Sequence, residues 1–152
     1  MGTTGAITDA SLRAFVGYDM KRAFNALQAD LSRTLTPFGL RMMTFSALSL
    51  VVENPGLRPS QLATVLTIER ANLVVIVDEL EQRGLLTRTP STTDRRAHAL
   101  HVTDQGQSLF AKANRAVAEH DARMIAGVAQ HLQPQLKDAL RQIENSAKQD
   151  VV

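Results

Sequence analysis

Cysteine is absent from the 152 residues, which excludes a disulfide framework, a cysteine-based zinc site and any thiol redox sensor together. Glycine and proline number only 8 and 5, too few for a fibrous or low-complexity chain. Long apolar runs are missing too. The longest, Leu73-Val74-Val75-Ile76-Val77, falls far short of the ~18 residues of a membrane span, so no membrane partner is expected. Met1–Ala6 has neither a basic nor an apolar leader segment, and Ala6 stands where a myristoylation signal after Gly2 wants Ser or Thr. The expected address is cytoplasmic. Catalytic signatures are also lacking: no G-x-S-x-G, H-E-x-x-H, P-loop or G-x-G-x-x-G pattern occurs, so neither an enzyme nor a cofactor is expected.

What remains is the composition of a folded domain. Apolar residues make up 44% and charged residues 21%, which argues against disorder. A chain of this size buries roughly 68–70% of its unfolded surface, enough for one domain or two small lobes sharing a core. The net charge of +2 says little, but its placement says more. Between positions 37 and 105 every basic side chain is arginine (Arg41, Arg58, Arg70, Arg83, Arg88, Arg95, Arg96) and none is lysine. The guanidinium fork suits phosphates and guanine edges. From Arg83 to His101 four arginines face Asp94 alone. That stretch is either an ordinary solvated hairpin or a basic loop that meets nucleic acid.

Apolar periodicity predicts a helix over 10–33, through Leu12, Phe15, Val16, Ala23, Leu27 and Leu31. Pro37 interrupts it, and a second helix is expected from Phe38 to Glu53. Asn54-Pro55-Gly56 marks a turn. Pro59 opens a short helix to Leu66, although Arg58 stands where a Ser or Thr cap is usual. The run Leu73–Val77 is tempting as a strand, yet Leu73, Ile76, Val77 and Leu80 keep helical spacing and Gly84 is a natural stop. A helix over 69–83 follows. Leu85–Arg88 and Ala99–Val102 are strand candidates around a polar loop, Thr89–His98. Past Gly106 a long helix is expected to Val128, and Pro134 begins the last one, with Leu136, Leu140 and Ile143 on its apolar face. Helix, turn, helix and β-wing inside an otherwise helical chain is a winged-helix arrangement. The flanking helices have apolar faces with no second core of their own, which points to a second copy of the chain.

Leu62-Ala63, Ile68-Glu69-Arg70-Ala71-Asn72-Leu73, Val77-Asp78-Glu79-Leu80-Glu81-Gln82-Arg83-Gly84-Leu85 and Asp94-Arg95-Arg96 through Leu100-His101-Val102-Thr103 to Gly106 resemble the MarR family of bacterial winged helix-turn-helix transcription regulators. The resemblance implies a mostly α fold, with a DNA-binding lobe at 37–103 and a dimerisation lobe from 1–36 and 104–152. It implies a homodimer, a repressor by default, on pseudo-palindromic double-stranded DNA. The two copies of helix 69–83 would enter major grooves about one helical turn apart. Arg70, Ala71 and Asn72 are then the base-reading candidates, with phosphate contact or plain solvation as the alternative. Ser60 and Thr67, expected at helix starts, either donate to phosphates or act as caps. In the wing Arg96 takes the minor groove, Arg95 and Arg88 take phosphates, and Asp94 orients an arginine. Arg83 favours its helix dipole. The pair Val74-Val75 departs from the polar pair of many members. At least one must face out, so Val75 is counted with the DNA contacts, packing on thymine methyls or else on a neighbouring helix.

The resemblance further implies release by a small anionic effector, an aromatic carboxylate or its acyl thioester. Phe15, Tyr18, Asp19, Arg22, Phe38, Arg41, Met42 and Phe45 are the lining candidates, with ordinary core packing as the alternative. Metal sensing is not expected, because His98 and His101 point to opposite faces of a strand, and His120 and His131 read as packing or surface residues. The rival function is a winged-helix protein–protein module without DNA, against which Arg95-Arg96 speak.

Overall fold

The structure is a computed structural model that describes residues 7–149. Met1–Ala6, read above for leader signals, and the last three positions of the second flanking segment lie outside the described residues. The elements are α1 (Val16–Leu35), α2 (Met42–Glu53), α3 (Pro59–Leu66), α4 (Arg70–Gln82), β1 (Leu86–Pro90), β2 (His98–Val102), α5 (Asp104–Met124) and α6 (Gln133–Gln149). Four helices, a hairpin and two helices is the expected order. The fold is mostly α with a two-stranded antiparallel sheet.

Several boundaries move, each for a local reason. α1 starts at Val16 rather than near position 10, because Phe15 is extended at its N-cap after a 3-10 turn at Leu12–Ala14. The second helix starts at Met42 rather than Phe38. Thr36–Phe38 forms a 3-10 turn that Gly39 ends in the left-handed region, at φ 62°. Thr44 Oγ1 then accepts the Arg41 N–H at 2.8 Å and caps α2. At α3 the missing hydroxyl cap is replaced from inside the helix, where Gln61 Oε1 accepts the Arg58 N–H at 3.0 Å. α5 begins earlier than expected because Thr103 Oγ1 accepts the Gly106 N–H at 3.0 Å, a hydroxyl N-cap. It stops at Met124, and a separate 3-10 turn, Gln130–Leu132, leads to α6.

β1 and β2 pair from Leu86↔Val102 to Pro90↔His98, so the tip loop is shorter than the sequence suggests. Pro90 is tolerated at a strand end. Leu57 adds a bridge to Leu100 and ties the hairpin to the segment before α3. One core holds these parts together. Leu48 and Val51 of α2, Leu62 of α3, Leu80 of α4 and Leu86 and Leu100 of the hairpin are fully or almost fully buried, as are Leu35 of α1 and Ala113 of α5. Burying each such leucine stabilises the fold by about 1.5–3 kcal/mol. The flanking helices therefore share the core of the central segment. α6 does not: it packs principally on the turn before it, and Leu136, Leu140 and Ile143 remain about two-fifths exposed.

Candidate nucleic-acid interface

α3 and α4 meet at 112°, within the range of a helix-turn-helix. The turn is made by Thr67, which takes a left-handed conformation at φ 55°. Thr67 thus ends α3 instead of starting α4, whose N-cap is Glu69. This corrects its expected place at a helix start. The chain must reverse within three residues, and one of them has to adopt a positive φ. Ser60 does sit in the first turn of α3, exposed.

Leu73, Ile76, Val77 and Leu80 of α4 are buried. With 3.6 residues per turn, Ala71, Val75 and Asp78 then point directly away from the core, Arg70 and Val74 lean to one side, and Asn72 and Glu79 to the other. Arg70, Ala71, Asn72, Val74 and Val75 are all exposed. The side to which Arg70 leans is the wing side. There a groove of about 480 Å³ runs between the helix pair and the hairpin, lined by Ser60, Arg70, Val74, Arg88, Asp94, Arg96 and others. The structure thus brings Arg70, Ser60 and Arg96 to one concavity. Asn72 lies on the far flank with Glu79, which is ion-paired with Arg41 at the start of α2.

The wing tip is organised around Asp94. Its Oδ1 accepts the Arg96 backbone N–H at 3.0 Å, its carbonyl accepts the Ala97 N–H at 3.1 Å, and its own N–H reaches Ser91 Oγ at 3.3 Å. Asp94 therefore orients Arg96 through the backbone, not through a guanidinium. Arg95 and Arg96 are exposed. Arg88 is different, because its guanidinium is ion-paired with Asp78 and lies 3.4 Å from Glu81. Expected as a phosphate contact, it is engaged in the DNA-free chain by two carboxylates of α4, binding strand to helix and cancelling negative charge next to Val74 and Val75.

Arg83 also has a destination the sequence did not reveal. Its Nη1 donates to the Gly39 carbonyl at 2.6 Å and its Nη2 to the Phe38 carbonyl at 2.9 Å. The expected dipole contact is replaced by a clamp from the end of α4 to the α1–α2 elbow, because the 3-10 turn there leaves carbonyls free. A Cβ on Gly39 would stand 3.1 Å from Arg83 Nη2, so glycine serves both the turn and this close approach.

The effector candidates separate into two groups. Phe15, Tyr18, Asp19 and Arg22 lie at the start of α1, whereas Phe38, Arg41, Met42 and Phe45 lie beyond its end, where the Leu40 N–H returns to the Leu35 carbonyl. From Tyr18 to Leu35 the helix rises about 25 Å, so within one chain these eight residues do not line a single pocket. Tyr18 and Asp19 of the first group are engaged by neighbours on the same stretch. Tyr18 Oη donates to Asp9 at 2.8 Å, and Arg13 bridges Asp9 at 3.0 Å and Asp19 at 2.7 Å. The Tyr18 hydrogen bond holds the Asp9 carboxyl below the usual carboxylate range and pushes the phenol up. In the second group Phe45 stacks on Phe110, with ring centroids 5.9 Å apart.

His98 and His101 border two different concavities, and no cluster of metal-ligating side chains occurs among the described residues. No single described helix is long and apolar enough to cross a membrane. His120, read as packing or surface, is buried and bonded to Asp30 of α1.

Against this geometry the family model for the MarR family matches residues 40–98. The HTH-type transcriptional repressor Rv2887 of Mycobacterium tuberculosis is 27% identical over 139 residues, covering 91% of this chain and 97% of that one. Among solved structures, the transcriptional repressor CouR bound to a 23-mer DNA duplex superposes with a TM-score of 0.80 at 35% identity, over 93% of this chain and 98% of that one. CouR from Rhodococcus jostii RHA1 bound to p-coumaroyl-CoA gives a TM-score of 0.77 at 29% identity, over 84% and 90%.

Proposed function

The chain belongs to the MarR family of transcriptional regulators, which are DNA-binding proteins and not enzymes, and from that premise we propose a homodimeric repressor of pseudo-palindromic double-stranded DNA. The observation that carries this reading is the convergence of Arg70 and Arg96 on one groove between recognition helix and wing. In the proposed complex α4 enters the major groove, Arg70 forks onto a guanine edge or phosphate, and Arg96 enters the minor groove beside it. Arg95 and Ser60 meet phosphates. The division into a DNA-binding lobe at 37–103 and a dimerisation lobe from the flanking helices is part of the same proposal. The exposed apolar faces of α1 (Val16, Phe24) and α6 (Leu136, Leu140, Ile143) would supply the contact.

The effector we propose is an aromatic carboxylate or its acyl thioester, the chemistry that CouR holds as p-coumaroyl-CoA. Phe38, Arg41, Met42 and Phe45 are its proposed contacts. A ligand that displaced them would pull on α4 through the Arg83 clamp and the Arg41–Glu79 pair. That gives it a differential contact with the two arrangements, as a switch requires.

A salt titration of duplex binding tests the proposal. With ~6–10 phosphates engaged, affinity falls about 10³–10⁵-fold from 50 to 200 mM salt. Absent or salt-insensitive duplex binding would favour a winged-helix module for protein partners. Adding p-coumaroyl-CoA or a panel of phenolic acids to the bound duplex tests the effector, and no release with any of them counts against it.

A further inference from the structure

We propose that α4 recognises thymine by its 5-methyl group, with Val74 and Val75 as the side chains that set this preference; the inference rests on the DNA-binding reading above. Val74 is 54% and Val75 63% exposed, although both belong to a run whose other members, Leu73, Ile76 and Val77, are buried. Together with Ala71 they make an apolar strip on the outward surface of α4, beside Arg70. The half or more of each isopropyl group that stays in water contributes nothing to folding.

The surroundings indicate the occupant. Arg70 stands one turn before Val74, Arg96 faces it across the groove, and Arg58 borders the same concavity. Of the carboxylates nearby, Asp78 and Glu81 are engaged by Arg88, and Asp94, which lines the groove itself, accepts the Arg96 backbone N–H. An apolar centre flanked by guanidinium groups complements a polyanion with apolar spots between its charges. In duplex DNA the major-groove edge has one such spot, the thymine methyl. Branched aliphatic side chains accept that methyl without hydrogen bonds. Asn72, the one amide in the first turn, lies on the opposite flank. Readout by this helix is thus weighted toward methyl contact beside one arginine.

The experiment begins with the full chain and a random-sequence duplex library, from which bound sites are selected. Each thymine of the selected site is then replaced by deoxyuridine, which deletes the methyl and leaves every hydrogen-bonding group in place. For the unmodified protein, uracil at the contacted positions is expected to weaken binding about fourfold per methyl. With Val74→Ala and Val75→Ala combined, thymine and uracil duplexes should bind alike at those positions. Both substitutions are at exposed sites, so folding is expected to survive, and circular dichroism verifies it. Tight binding that ignores uracil everywhere overturns the inference while leaving DNA binding intact, as does an unchanged thymine-to-uracil ratio in the double variant. Recovery of no bound duplex at all overturns the DNA-binding reading itself.

Discussion

His120 Nδ1 of α5 lies 2.8 Å from Asp30 Oδ2 of α1, joining two helices through residues 90 positions apart in sequence. Arg123 Nη2 reaches the same oxygen at 3.0 Å, and Arg33 Nη2 takes the other at 2.8 Å. Three donors on one carboxylate favour its charged form. The His120 hydrogen bond, followed by that of Arg33, lowers the Asp30 pKa to about 2. A carboxylate depressed in the folded state stabilises it fully above the unfolded value near 4, and the contribution disappears as pH falls toward the folded value. Stability of the α1–α5 junction is therefore expected to decline between about pH 4 and pH 2. Denaturant titrations across that range should show a shallower decline for Asp30→Asn, which is already weakened at neutral pH. Parallel curves for the two proteins would remove Asp30 from the acid response.

Among the described glycines, Gly106 leaves the least room for a side chain. A Cβ there would stand 2.1 Å from the Leu85 carbonyl oxygen and 2.9 Å from Val102 Cγ2, so the first turn of α5 lies directly on the residue that leads into the hairpin. Backbone cannot retreat as a flexible side chain can. Gly106→Ala is expected to destabilise by at least about 1–3 kcal/mol, read as a lower urea midpoint. An unchanged midpoint would mean that α5 shifts freely on the hairpin.

Much of this arrangement was legible along the chain because it is written in local periodicity. Leu73, Ile76, Val77 and Leu80 keep one helical face, and that face is buried. Gly84 follows α4 with φ 68°, as a C-terminal stop should. Long-range partners were not legible. Nothing near Arg83 predicts a bond to Phe38, nothing near Arg88 separates a phosphate contact from a pair with Asp78, and Asp30 carries no sign of His120. That the eight effector candidates fall into two separate groups was hidden for a related reason. Their spacing within each helix was sound, but a 20-residue helix lies between the two groups. Thr67 shows the limit at short range, because a β-branched residue with positive φ is rare enough that no local rule favours it.

Removal of Arg88 should weaken DNA binding beyond the loss of a single cation. It leaves Asp78 and Glu81 uncompensated on the surface proposed to meet phosphates, and like-charge juxtaposition is costly. Arg88→Ala is expected to reduce duplex affinity by at least about tenfold. Asp78→Asn with Glu81→Gln in the same chain should recover most of that loss. Failure of the rescue would assign Arg88 a direct phosphate contact.

Arg96 is presented by a turn that Asp94 fixes through its backbone, so its side chain is free to enter a groove. Narrow A·T-rich minor grooves attract guanidinium more strongly than G·C-rich ones. Arg96→Ala is therefore expected to weaken binding to A·T-flanked sites more than to G·C-flanked sites in a competition assay. Equal loss on both would place Arg96 on phosphates.

Leu140 lies at the middle of the α6 stripe, between Leu136 and Ile143, and is 43% exposed within one chain. An apolar stripe at i, i+4 and i+7 left about two-fifths exposed in its own fold is the pattern of a helix that packs against another copy. Leu140→Asp would place a carboxylate in that contact, where an unpaired charge is strongly disfavoured. The variant is expected to keep its helix content, to sediment as a single chain at micromolar concentration, and to lose duplex affinity together with its pairing. Both losses are needed, since two half-sites can be held only by two joined recognition helices. A Leu140→Asp protein that remains paired and fully active would move the interface off α6 and onto the exposed face of α1.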